Sequence, residues 1–182
     1  ESRHAATAAA AAWFDGGAML ADLRRRVALR TQSQDPGCAA ELARYLTEEI
    51  GPGVESLGFR WTLWDNPVAG APPLLFAERS EDPSLPTVLI YGHGDVVAGH
   101  DSQWTAGRSP WEVSEAGGRW YGRGTADNKG QHTINIAALG RVLATRGRLG
   151  FNAKLLLEMG EEVGSPGLRR ICEARTTSLR AD

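Results

Sequence analysis

Positive charge is not in excess in this sequence: 20 Lys and Arg stand against 22 Asp and Glu, a net charge of −2. That balance argues against the basic stripe by which proteins hold nucleic acid, so no nucleic-acid partner is expected. Lysine itself is rare, with Lys129 and Lys154 its only examples, a bias from which no function follows. Cysteine is scarce too. Cys38 and Cys172 fall in helix-like stretches far apart, which argues against a disulfide framework and reads as reduced core thiols of a cytoplasmic protein. No apolar run approaches the ~20 residues that span a bilayer, so no membrane partner is expected either. The opening ESRHAATAAAAAW is apolar almost only through alanine, too weak for a secretory core. Residues 1–12 therefore read as a helical or frayed lead-in, and the missing initial methionine as a sign of cutting or processing.

What the chain does have is a core. With 182 residues and 42% hydrophobic composition it can bury one domain. Apolar residues recur at helical spacing from Trp13 to about Arg30. Asp35-Pro36 opens a second helix that runs to Ile50 and is expected to stop at Gly51-Pro52. Leu57–Trp64 and Leu74–Glu78 read as strands, and Thr87–Val97 as a buried central strand. A hairpin of Trp111–Val113 with Arg119–Tyr121 is expected about Gly117-Gly118. A helix follows from Asp127 to about Arg146, burying Ile134, Ile136, Ala137, Ala138 and Leu139. Phe151–Leu157 is again a strand, and Ser165 opens a last helix. Strands alternating with helices define an α/β class with a mixed, largely parallel twisted sheet flanked by helices.

Three acid-bearing segments stand where a strand gives way to a loop, the usual ligand edge of such sheets. In GHGDVV, His93 and Asp95 are two apart, so the carboxylate can orient the imidazole for a metal; a polar turn is the plain alternative. In GRGTADNKGQ, Asp127 stands at a helix start and can be catalytic or simply a cap. Gly124 with Lys129-Gly130 reverses the order a phosphate loop requires, which argues against nucleotide binding. In LLLEMGEEVGSPG, Glu161 and Glu162 are adjacent. They are either two solvated charges or a pair that a cation reconciles, one binding it and one acting on its water.

Taken together, YGHGDVV, WYGRGTADNKGQ and LEMGEEVGSPGL resemble the M20 metallopeptidases, the group of carnosinase-like dipeptidases, glutamate carboxypeptidases and N-acyl amino acid deacylases. The resemblance runs from about residue 13 to the end, which makes 13–182 the N-terminal portion of a catalytic domain. It implies two Zn2+ ions, with Co2+ or Mn2+ as substitutes. His93 would ligate one ion and Asp95 orient His93; Asp127 would bridge the two, with a cis peptide after it; Glu161 would be the general base and Glu162 a ligand of the second ion. The family's later acidic and histidine ligands, and its lid or dimerisation domain, have no counterpart here. These residues alone are therefore expected to be inactive or very weak, with an uncovered sheet edge, and the full-length protein to be a homodimer.

The segment QWTAGRSPWEV, with Trp104 and Trp111, resembles the dipeptidase branch, so a dipeptide is the expected substrate. An N-acyl amino acid deacylase is the alternative within the family; a noncatalytic fragment or binding domain is the alternative outside it. His100 reads as a surface loop residue, His132 as lying on a helix face with support of the metal ligands as the alternative, and His4 as part of the tail. The six tryptophans read as packing.

Overall fold

The computed structural model describes residues 1–182. Two N-terminal helices, α1 (Ser2–Asp15) and α2 (Ala18–Ala28), replace the single helix that the periodicity suggested. The break is Gly17, whose φ of 80° lies in the left-handed region that ends a helical ladder. The Asp35 carboxylate accepts from the Gly37 amide at 2.9 Å and starts a 3₁₀ turn at Pro36. From there α3 (Ala39–Arg44) leads through a π-helical stretch, Tyr45–Ile50, into α4 (Gly51–Glu55). The helix thus does not stop at Gly51-Pro52. Pro52 sits in the first turn of α4, directly after the π-helical stretch, and the Gly51 amide before it still bonds back to the Leu46 carbonyl.

The main sheet has the order β1-β2-β6-β3, from β1 (Arg60–Trp64), β2 (Leu74–Arg79), β3 (Thr87–His93) and β6 (Asn152–Glu158). It is mixed, as expected, but β3–β6 is its one parallel pair; β1–β2 and β2–β6 are antiparallel. The other strands of the chain, β4 (Ser114–Ala116) and β5 (Arg119–Tyr121), form a separate hairpin. Its turn is Gly117-Gly118, both at positive φ, as a two-residue hairpin turn demands. The first strand of that hairpin lies three residues later than its apolar pattern suggested, because Trp111 and Val113 are buried in loop packing instead.

Alternation on β2 and β6 builds two cores. Leu75, Ala77, Leu155 and Leu157 face Tyr45, Leu46 and Ile50 and, on α5 (Lys129–Arg146), Ile136 and Leu139. Leu74, Phe76 and Leu156 face the other side, with Trp64 and, on α6 (Leu168–Ala174), Ile171. A short α7 (Thr176–Leu179) follows. The central strand is therefore β6, whose LLL run is buried on both faces, and not β3. As an edge strand, β3 leaves Val88 43%, Leu89 36% and Tyr91 43% exposed. Ile134 is likewise exposed, at 57%, on the outer face of α5, because His132, Thr133 and Ile136 take the inner one. No helix is long and apolar enough to cross a membrane.

Candidate metal site

The parallel pair positions the site. His93 is the last residue of β3 and lies opposite Glu158, the last of β6, so the loops after both strands leave from the same sheet end, the usual ligand edge. The loop after β3 carries Asp95; the loop after β6 turns at once into a 3₁₀ turn bearing Glu161 and Glu162. Asp127 arrives from a third direction, at the start of α5.

These five residues converge. His93 Nδ1 lies 3.3 Å from Asp95 Oδ1 and 3.1 Å from the Asp95 carbonyl oxygen, while Nε2 points to Asp127 Oδ1 at 3.1 Å and Glu161 Oε2 at 3.8 Å. Ligand atoms of His93, Glu161 and Glu162 all fall within 4.8 Å of one another. Asp95 is fully buried and receives the amide N–H of Glu161 at 3.2 Å on Oδ1 and that of Glu162 at 3.1 Å on Oδ2. The Asp127 side chain is 76% exposed and makes no capping bond; the N-cap position belongs to Asn128. The Asp127–Asn128 peptide is cis.

The electrostatics call for a cation. Burial alone would lower the His93 pKa, but the hydrogen bond and charge of Asp95, with Glu161, raise it to about 9. Burial pushes Asp95 up, and bonds from His93, Ser33 and the Glu162 amide reverse this, holding it below its ordinary value. Glu162 is raised by burial and then by the like charges of Asp127, Glu161 and Asp95, with His93 opposing. Imidazole nitrogen and carboxylate oxygens suit zinc. Two atoms sharing a tetrahedral zinc at ~2.0–2.1 Å stand ~3.3 Å apart, close to the 3.1 Å between His93 Nε2 and Asp127 Oδ1. The donor set fits the metal.

Several supporting residues escaped the sequence reading. Ser33 Oγ donates to Asp95 Oδ2 at 2.6 Å. Glu158 is buried and accepts from Tyr91 Oη at 2.5 Å and Ser165 Oγ at 2.9 Å; its place three residues before Glu161 was the available signal. His132 is buried rather than merely on a helix face, with Nε2 2.5 Å from Tyr45 Oη and Nδ1 3.3 Å from Asn128 Oδ1. Burial, followed by the charges of Arg26, Lys129 and His93, keeps this imidazole neutral. Tyr45 then donates to it, and it donates to Asn128. Lys129, wholly buried, donates to the carbonyls of Arg26 and Leu29 at 2.8 and 2.7 Å and ties α5 to the end of α2. His100 is exposed, as expected.

An α/β domain that gathers an imidazole and carboxylates at the ends of a parallel strand pair has the architecture of a metal-binding domain. The chain belongs to peptidase family M20/M25/M40, whose profile matches residues 89–182. It is 38% identical over 132 residues to the Beta-Ala-His dipeptidase of Mus musculus, covering 71% of this chain and 26% of that one. It is 33% identical over 144 residues to the Cysteinylglycine-S-conjugate dipeptidase of Corynebacterium striatum, covering 78% and 30%. Among solved structures, human carnosine dipeptidase 1 superposes with a TM-score of 0.82 at 27% identity, over 98% of this chain and 38% of that one. An M20 family metallo-carboxypeptidase from Sulfolobus solfataricus gives 0.76 at 30% identity, over 90% and 36%. The chain thus spans between a fifth and a third of the length of these curated relatives.

Proposed function

We propose that this chain supplies the first part of a two-zinc centre that hydrolyses the peptide bond of a dipeptide. The observation that carries the reading is the convergence of His93, Asp127, Glu161 and Glu162 around a buried Asp95. In this reading His93 and Asp127 would hold one ion, and Asp127 with Glu162 the other. Bound zinc would supply polarisation of the scissile carbonyl and a more acidic attacking water. Glu161, 45% exposed, takes a proton from that water and delivers it to the departing amine nitrogen. Its backbone amide, held by Asp95, keeps the carboxylate beside the site.

A dipeptide is favoured over an N-acyl amino acid because the curated relatives are named dipeptidases. The free thiols of Cys38 and Cys172 accord with a cytoplasmic protein, and we take its full-length form to be a homodimer. Two side chains per ion fall short of the four ligands zinc ordinarily takes, so residues 1–182 alone should turn dipeptides over weakly or not at all.

The test is metal analysis with kinetics on the full-length protein. Glu161→Ala should retain metal and lose about 10²–10⁴-fold in turnover, whereas Glu162→Ala should lose metal. Unchanged turnover in Glu161→Ala would remove it as the base. Faster cleavage of N-acetyl amino acids than of dipeptides would favour the deacylase.

A further inference from the structure

The segment TQSQ, Thr31–Gln34, joins α2 to the 3₁₀ turn at Pro36 and belongs to none of the acid-bearing segments. It lies along the loop that carries Asp95. Thr31 Oγ1 donates to the Gly94 carbonyl at 2.7 Å, and the Val96 amide donates to the Thr31 carbonyl at 2.8 Å. Gln32 Oε1 accepts from the Gly99 amide at 2.7 Å and Gln34 Oε1 from the Ala98 amide at 3.3 Å. Within this strap, Ser33 alone reaches the site.

Asp95 has two partners on each oxygen. Oδ1 faces His93 Nδ1 at 3.3 Å and the Glu161 amide at 3.2 Å; Oδ2 accepts from Ser33 Oγ at 2.6 Å and the Glu162 amide at 3.1 Å. The Ser33 bond is the shortest of these, and it comes from outside the three acid-bearing segments. A carboxylate's terminal torsion is broad, so four directed donors decide how the plane of a buried Asp95 sits.

We propose that Ser33 is a positioning residue of the metal centre. Its hydroxyl sets the rotation of the Asp95 carboxylate, and through it both the orientation of His93 and the placing of the Glu161 and Glu162 backbone. The inference rests on the metal-site reading above. Without the hydroxyl, Oδ2 keeps one amide donor, and the carboxylate loses the shortest of the bonds that fix its rotation toward His93. Partners that orient a metal-binding imidazole typically contribute about 10- to 100-fold in affinity.

The experiment compares Ser33→Thr with Ser33→Val in the full-length protein. These side chains have nearly the same shape and differ in the hydroxyl. Gln34→Ala serves as a control on the same strap that does not touch the carboxylate. Zinc affinity is read by competition with a chromogenic chelator, and the melting temperature of the metal-free protein is read alongside. Zinc binding about 10- to 100-fold weaker in Ser33→Val than in Ser33→Thr, with Gln34→Ala unchanged, is the expected result. Equal affinities for the Val and Thr variants overturn the proposal, as does a loss in Gln34→Ala matching that of Ser33→Val. A Val variant that cannot fold while the Thr variant does assigns the hydroxyl to the fold and also overturns it. His93→Ala separates the two levels: if it leaves zinc affinity intact, the metal-site reading fails and takes this proposal with it. If it abolishes binding while the Val and Thr variants agree, only the role of Ser33 fails.

Discussion

His93 closes β3 directly across from Glu158, the last residue of β6, in the one parallel pairing of the sheet. That register brings together two segments separated by more than sixty residues of chain and sends both following loops to the same side. Glu158 also secures its own loop. Burial pushes its pKa up, with hydrogen bonds from Tyr91 and Ser165 pulling the other way. Ser165, at a φ of 52°, is held in the left-handed region while it reaches back to this carboxylate.

Removing that acceptor should therefore be costly. Glu158→Ala leaves the hydroxyls of Tyr91 and Ser165 without it, and urea unfolding should show a loss of about 2 kcal/mol. Tyr91→Phe, which deletes one donor and leaves the Ser165 bond in place, should cost about 1 kcal/mol. Equal losses from both changes would mean that the Ser165 bond contributes nothing to stability.

Zinc binding should release a proton. The metal-free His93 has a pKa raised to about 9 and is protonated at pH 7, whereas a ligating imidazole nitrogen must be unprotonated. Affinity should rise about tenfold per pH unit up to that value and then level off. Titration calorimetry at pH 7 in buffers of different ionisation enthalpy should report about one proton released. Asp95→Asn removes the hydrogen bond and charge that raise His93 and leaves the burial that lowers it, so the released fraction should fall.

Gly94 has no room for a side chain. A Cβ there would lie 2.5 Å from Tyr45 Cε1 and 2.8 Å from Met159 Sδ. Gly94→Ala should destabilise by about 1–3 kcal/mol through overpacking, read as a lower melting temperature. Tyr45→Leu should destabilise less in the Gly94→Ala background than in the wild-type one; equal effects in both would show that the ring is not what the methyl meets.

The free edge of β3 should make residues 1–182 prone to associate. Val88 and Leu89 are exposed there, and the edge is engaged only near its two ends: the Asp182 amide donates to the Thr87 carbonyl at 3.1 Å, the Thr87 amide to Asp182 Oδ2 at 2.8 Å, and the His93 amide to Asn128 Oδ1 at 3.4 Å. A lysine on an edge strand opposes pairing between chains. Val88→Lys should shift size-exclusion profiles toward monomer, and an unchanged profile would place any association elsewhere.

Local chemistry was legible in the chain because it is written locally. A leucine run ending in Glu158-Met159-Gly160, a His-x-Asp after an apolar strand and an aspartate before a helix marked the strand ends and the residues that meet there. Periodicity also found most helices and strands. It missed the break at Gly17 and the passage through Pro52, because one glycine torsion can end a helix, and a helix can run on through a proline, without changing the apolar pattern. It placed Ile134 inside for the same reason: apolar spacing does not tell which face of α5 wins the core.

The sequence by itself singled out His93, Asp95, Asp127, Glu161 and Glu162 as candidates, four of them at or just after the ends of β3 and β6. Only the tertiary structure decided that β6 is central and β3 an edge, since sheet order depends on packing between distant segments. It also decided that one buried carboxylate, Asp95, takes hydrogen bonds from Ser33, Glu161 and Glu162 across 62, 66 and 67 residues of chain. A burial of that kind is stable only when every partner arrives together, and no short stretch of sequence records that meeting.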